Sequence, residues 1–231
     1  MAKSPVSRLL NSIAGEALPP TIRDCGLFGA LLTWIFGRRI QTFERLRGAS
    51  PSLSTKALMA FYGEQLSGRA RRVSDNTPEV IKRINAEALP GLVCDVGCGT
   101  GHLLNELVQN GARSGVGVDI NVSHEGAADG VLFVEALIDR LPFADATFDT
   151  VVSTHALEHT LDICAAVSEL RRIARRRLII VVPRERPSRW ALNAHLHFFV
   201  YPWQLALAMR PAGTYRCERL GSALFYIEDL S

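Results

Sequence analysis

The residues most able to do chemistry stand in one short stretch, Leu92-Val93-Cys94-Asp95-Val96-Gly97-Cys98-Gly99-Thr100-Gly101-His102-Leu103-Leu104. Three glycines alternate there, at 97, 99 and 101. Glycine permits positive φ and lets a ligand lie against bare backbone. The chemistry this implies is the binding of a nucleotide-type ligand, whose anionic group would meet the N-terminus of a following helix.

The flanking residues supply the elements that must hold such a turn. Val93, Cys94 and Val96 are small or β-branched and suit a covered strand. Leu103, Leu104, Leu107 and Val108 form one helical stripe, with Gly111 placed to end the helix. Strand, glycine turn and helix together make a ligand site at the carboxyl end of a parallel strand. The dinucleotide fingerprint G-x-G-x-x-G is not matched: the gaps are two and two, and His102 stands where the last glycine belongs.

D-V-G-C-G-T-G resembles the first motif of class I S-adenosylmethionine-dependent methyltransferases. The resemblance implies an acidic residue at the end of the next strand, and Asp119 occupies that place in Gly115-Val116-Gly117-Val118-Asp119-Ile120. A second segment, Leu141-Pro142-Phe143-Ala144-Asp145-Ala146-Thr147-Phe148-Asp149-Thr150-Val151, is similar to L-P-F-x-D-x-x-F-D-x-V of the methyltransferase type 11 group. Leu157-Glu158-His159 is a third mark of that group. One position departs from it: many relatives place an Asp four residues before the Leu of L-P-F, and here that residue is Leu137. The similarity covers roughly residues 77–183.

By that resemblance the cofactor is S-adenosyl-L-methionine, held by Asp95, Gly97, Cys98, Gly99, Gly101, Asp119, Ile120, Leu137, Ile138 and Ser153. Asp119 would take the ribose hydroxyls, and backbone near Leu137 and Ile138 would take the adenine in place of the missing Asp. His155 and His159, after the fourth strand, are the expected catalytic residues. A proton acceptor is needed only if the acceptor must lose a proton, and histidine is the side chain suited to that. A helix near Phe61 and Tyr62 often covers the cofactor in the family, which makes Tyr62 a substrate contact. Beyond Pro183, Trp190, His195, His197, Phe198, Phe199, Tyr201 and Trp203 crowd together. Aromatic and histidine side chains of this kind suit a substrate pocket, so His195 and His197 join Tyr62. H-x-H without a third ligand leads us to expect no metal.

The remaining chain is read from its periodicity. Residues 1–24 are an irregular lead-in, and 121–130 a polar loop with His124 and Glu125. Over 27–40, Leu27, Phe28, Leu31, Leu32, Ile35 and Phe36 predict a helix with one apolar stripe, and Trp34 lies off it. This helix either caps the core or lies on a membrane surface, with Arg38, Arg39, Arg45 and Arg47 beside it. Leu58, Phe61, Tyr62 and Leu66 predict another helix. Thr77-Pro78-Glu79 marks the start of a helix over 78–88, by capping hydroxyl, leading Pro and first-turn carboxylate. A helix over 160–174 should bury Ile163, Val167, Leu170 and Ala174. Strands are expected at 131–135, from Phe148 to Val152 and from Leu178 to Val182. A helix at 202–210 and a hairpin of 214–220 with 223–227 complete the sheet.

Composition sets the outer limits. The 231 residues are 48% hydrophobic and 21% charged, enough for a packed core. Five scattered cysteines without C-x-x-C read as reduced, mostly buried thiols of a cytoplasmic protein. No apolar run reaches the roughly 18 residues that would span a bilayer, and the start does not read as a signal peptide. The net charge of +3 is uneven: residues 1–75 carry 11 Lys/Arg against 5 Asp/Glu. Arg171, Arg172, Arg175, Arg176 and Arg177 read as helix-end and solvated charge, and no nucleic-acid partner is expected.

The expected fold is therefore α/β: a Rossmann-like, seven-stranded, mostly parallel sheet with helices on both faces. A helical appendage over 1–75 precedes the catalytic domain over 76–231. The expected function is methyl transfer to a small-molecule, sugar or lipid-linked acceptor. The alternatives are a non-catalytic binding protein of the same fold and a nicotinamide-dependent oxidoreductase. The expected location is the cytoplasm, and residues 27–47 offer the alternative of peripheral contact at the inner membrane face.

Overall fold

The computed structural model describes residues 18–37, 39–66, 74–122 and 127–230. The readings of residues 1–17, Arg38, the Leu66 side chain and the His124–Glu125 loop lie outside the described residues. The chain divides into two compact units, one of residues 1–70 with 185–200, the other of 71–184 with 201–231. Residues 185–200, assigned by sequence to the catalytic domain, thus pack with the N-terminal helices.

The first unit holds helices α1 (Gly26–Phe36), α2 (Arg39–Ala49) and α3 (Thr55–Leu66). Gly37, at φ 71°, ends α1 earlier than the apolar pattern suggests. The expected stripe on α1 is not the face that packs. Gly29 and Leu32 are buried, whereas Leu27, Leu31, Trp34 and Ile35 are exposed. The reason is Trp190: a Cβ on residue 29 would lie 2.3 Å from the indole, so only glycine admits that ring. The Trp190 Nε1–H also donates to the Cys25 carbonyl at 3.0 Å. Because α1 is apolar almost all round, periodicity could not tell which face this contact selects. Arg47 ties 185–200 to α2 by donating to the Asn193, Arg189 and Ala191 carbonyls.

The second unit is the expected sheet. Its strands are β1 (Leu92–Val96), β2 (Ser114–Asp119), β3 (Val131–Glu135), β4 (Phe148–Thr154), β5 (Ala174–Pro183), β6 (Thr214–Leu220) and β7 (Ala223–Asp229). The order is β3-β2-β1-β4-β5-β7-β6. The first five strands run parallel, and β7 lies antiparallel between β5 and β6. Helices α4 (Pro78–Glu87) and α5 (His102–Gln109) bury Val80, Ile84, Leu103, Leu104 and Leu107 against Val93, Val152, Ile179 and Phe225. Alternate strand residues point to the opposite face, where α6 (Ile163–Ile173) and α7 (Pro202–Met209) lie along the sheet. The Thr77 hydroxyl caps α4, accepting from the Val80 N–H as the sequence implies.

The arginine cluster is divided as expected between a helix end and exposed surface: Arg171 and Arg172 stand in the last turn of α6, and Arg175 and Arg176 are exposed. Helix α6 ends at Ile173, and Arg175 to Arg177 belong to β5. Arg171 pairs with Glu228, Arg172 with Glu169 and Asp145, Arg175 with Asp149, and Arg177 with Asp229. Arg172 also donates to the Leu141 and Phe143 carbonyls, which fixes the L-P-F segment against α6. The cysteines differ from expectation. Cys94 and Cys98 are buried, Cys25 and Cys217 half-buried, and Cys164 exposed.

Candidate functional site

The chain visits β1, β2 and β3 in one direction and then crosses back to β4, so β1 and β4 diverge at their carboxyl ends. Such a switch point is where open α/β sheets bind ligands. Asp95 sits at that place, between Gly117 of β2 and Val152 of β4, and is only 1% exposed. Burial, and next the nearby Asp119 carboxylate, push its pKa up to about 7. Its Oδ1 is buried and makes no hydrogen bond among the described residues.

The glycine turn wraps over the end of β2. The Gly97 and Cys98 N–H groups both donate to the Val118 carbonyl, at 2.7 and 3.0 Å. The Gly99 N–H donates to Asp119 Oδ2 at 2.8 Å, and the Asn121 N–H to Asp119 Oδ1 at 3.2 Å. Asp119 is thereby fixed, half-buried, beside the turn. Ile120 follows it and is also half-buried.

The three glycines are required for different reasons. All have positive φ. A Cβ on Gly97 would lie 2.6 Å from Ala156, which brings the end of β4 against the turn. A Cβ on Gly101 would lie 2.4 Å from the Phe133 ring, so this glycine serves packing of β3 under the first turn of α5. A Cβ on Gly99 would meet nothing within 4 Å. Of the three, only Gly99 opens onto free space. The Cys98 thiol is held far above its usual range by burial first, then by Asp95 and Asp119, so it packs rather than reacts.

The segment that follows β3 is tied to the same place. The Ala136 N–H donates to the Asp119 carbonyl at 3.1 Å. Leu137 and Arg140 then close a tight turn, with the Arg140 N–H on the Leu137 carbonyl at 3.1 Å. Leu137 and Ile138 are half-buried. Ser153 is differently employed: 1% exposed, it donates its hydroxyl to the Val96 carbonyl at 2.8 Å and joins β4 to β1.

At the end of β4, His155 adopts φ 54°, rare for a residue with a side chain. Its N–H donates to the Val181 carbonyl at 2.9 Å. Its Nδ1 is 3.6 Å from Oε1 of Glu158, which is 1% exposed. His159 closes the short turn Leu157–His159 and is half-buried. The sequence did not single out Asn76, whose Nδ2 donates to the Thr154 Oγ1 at 2.9 Å while its Oδ1 is buried without a partner among the described residues. Asn76 merely precedes a helix cap, so no local pattern announces it.

Tyr62, His195 and His197 belong to the first unit. The Tyr62 hydroxyl donates to the Ala194 carbonyl at 3.2 Å. His195 Nδ1 is 2.6 Å from Glu185 Oε2, and Asn193 Nδ2 donates to both oxygens of that carboxylate. A carboxylate on Nδ1 fixes the imidazole's orientation. His197 is half-buried.

Comparison with known proteins agrees with this geometry. A type 11 family model described as a methyltransferase domain matches residues 94–182. A demethylmenaquinone methyltransferase from Roseiflexus sp. is 30% identical over 177 residues, covering 59% of this chain and 74% of that protein. A sterol 24-C-methyltransferase from Gibberella zeae is 33% identical over 95 residues, covering 36% of this chain; the chain spans only 25% of that protein's length. Among solved structures, an S-adenosylmethionine-dependent methyltransferase from Aquifex aeolicus shares the fold. Its TM-score is 0.50 at 18% identity, covering 64% of this chain and 88% of that one.

Proposed function

The chain belongs to the type 11 group of class I S-adenosylmethionine-dependent methyltransferases, and on that premise we propose that it methylates an apolar, lipid-soluble small molecule. The observation that carries the cofactor assignment is the open space at Gly99, bordered by the fixed carboxylate of Asp119. The residues present fit S-adenosylmethionine. Bare backbone at Gly99 accommodates a close ligand. Asp119 offers carboxylate oxygens to ribose hydroxyls. The orphaned, buried Oδ1 of Asp95 is an acceptor suited to a cationic group such as the methionyl ammonium.

When bound, S-adenosylmethionine supplies an electrophilic methyl on a sulfonium. The work left to the protein is orientation and exclusion of water. We assign His155 and His159 to the surroundings of the transferred methyl, with Glu158 supporting the His155 imidazole. Tyr62, His195 and His197 are assigned to the acceptor. The apolar acceptor class is favoured by two relatives named for a sterol and for demethylmenaquinone, both apolar ring compounds.

Asp119→Ala tests the cofactor site. A hydrogen bond to a charged group contributes about 1.5–3 kcal/mol, so affinity for S-adenosylmethionine in calorimetry should fall by roughly one to two decades. Unchanged affinity in a folded variant would remove Asp119 from the site. His155→Asn separates chemistry from binding, because Asn tolerates the positive φ of residue 155. Turnover of a demethylquinone acceptor should drop by at least tenfold while cofactor affinity stays within about twofold. Equal turnover by the two proteins would make His155 a structural residue.

A further inference from the structure

We infer that the exposed face of α1 is a docking surface for an anionic lipid bilayer, in which the helix lies flat at the headgroup boundary. The eleven residues of α1, Gly26–Phe36, include no charged side chain. One face is occupied: Gly29 and Leu32 are buried, and the Thr33 hydroxyl turns back onto the Gly29 carbonyl at 2.7 Å. The other face carries Leu27 at 85% exposure, Leu31 at 49%, Trp34 at 84% and Ile35 at 47%. These positions are spaced i, i+4, i+7 and i+8, a single continuous stripe. Ile22, 52% exposed, stands in the short helix Pro20–Arg23 that precedes α1. Single exposed apolar residues need no explanation, but contiguous patches mark interaction surfaces.

Three observations select the occupant. An 11-residue helix is about 16 Å long, half of the roughly 30 Å hydrocarbon layer, and among the described residues no helix is long and apolar enough to cross a membrane. It therefore fits in the interface, where tryptophan is favoured. A second copy of the chain is less suited, since a stable protein interface takes about 800 Å² and 20–30 residues from each partner, and this stripe is one face of one short helix. Charge decides the lipid. The unit formed by residues 1–70 and 185–200 carries 11 Lys/Arg against 5 Asp/Glu. Arg38 and Arg39 follow α1 directly in sequence, and Arg45 on α2 is exposed. Arg47, which the sequence also suggested for this role, is committed to three backbone carbonyls and contributes nothing to it. An excess of basic residues is attracted to phosphatidylglycerol-type headgroups and released by salt.

The test uses the full chain without cofactor, so its outcome is independent of the methyltransferase assignment. Sedimentation with vesicles of phosphatidylcholine and phosphatidylglycerol should exceed that with phosphatidylcholine alone by about tenfold at low salt, and fall as salt is added. Leu27→Ser/Trp34→Ser changes only exposed side chains. It should abolish sedimentation while the circular-dichroism melt stays unchanged. Failure of the wild-type chain to sediment with anionic vesicles overturns the inference, as does equal sedimentation of the variant. A concentration-dependent dimer in light scattering, lost in the same variant, would overturn it in favour of a second copy.

Discussion

Gly99→Val is expected to leave the sheet folded and to weaken S-adenosylmethionine binding by more than 100-fold, a loss of about 2.7 kcal/mol or more. The contrast with its neighbours carries the expectation. Valine at 97 or 101 would collide with Ala156 or Phe133, and loss of binding there would report broken packing. At 99 the added carbons meet no protein atom within 4 Å of the Cβ. They occupy only the space assigned to the ligand. The substitution still has a conformational cost, because residue 99 sits at φ 56°. That cost is about 1–2 kcal/mol for a residue with a Cβ, and about 2–4 °C of melting temperature per kcal/mol in a chain of this size. Gly99→Ala shares most of it with less volume, so the two variants should melt alike yet differ in affinity. Near-normal binding by the folded valine variant would sink the cofactor assignment as a whole.

The same turn shows how far the sequence could be read. Alternate glycines after a β-branched run announced a backbone that bends sharply beside a ligand, and the bend is there. What the spacing could not express is that Gly101 answers to Phe133, more than thirty residues away, and only Gly99 to open space. Period and length located the central strands, because a buried strand and an amphipathic helix impose different repeats on the same side chains. β5 nevertheless begins at Ala174 rather than Leu178, and the terminal hairpin was expected from the resemblance rather than from any period. Period and length failed where a segment is apolar on all sides: α1 has no polar face to orient it, and the choice was made by Trp190 reaching Gly29 from a distant loop. Residues 185–200 misled for the related reason that chain order says nothing about which unit a loop packs with. Ser153 lies next to the site, yet its hydroxyl is taken by the Val96 carbonyl, a pairing that exists only once β1 and β4 are aligned. Asn76 became visible only when Thr154 was brought to it.

Glu228→Ala is expected to cause the largest loss of stability, and Glu228 is another residue whose role no local pattern reveals. In the sequence it is one acid near the end of a hydrophobic strand. In the fold it is fully buried in β7. Arg171 donates to both its oxygens, the Ala212 and Gly213 N–H groups donate to Oε1, and the Tyr226 hydroxyl donates to Oε2. One carboxylate thus joins α6, the end of α7 and the terminal hairpin. Removing it leaves a guanidinium and three other donors without their acceptor, a situation that costs about 3–5 kcal/mol. The melting temperature should fall by about 6–12 °C or more, with S-adenosylmethionine affinity unchanged, since β7 is separated from β1 by β5 and β4. Glu228→Gln keeps the shape but turns an amide N–H₂ toward donors, and should recover only part of the loss. The pH profile supplies an independent check. Burial alone would raise the Glu228 pKa, but Arg171, the two backbone amides and Tyr226 together hold it below the usual glutamate value of 4.5. Its contribution is therefore complete above pH 4.5 and disappears as pH falls through the lowered folded-state value. The wild-type chain should lose stability over that acidic range more steeply than Glu228→Ala. A variant that melts within about 2 °C of wild type at neutral pH, less than 1 kcal/mol for a chain of this size, would mean that the carboxylate does not hold the hairpin in place.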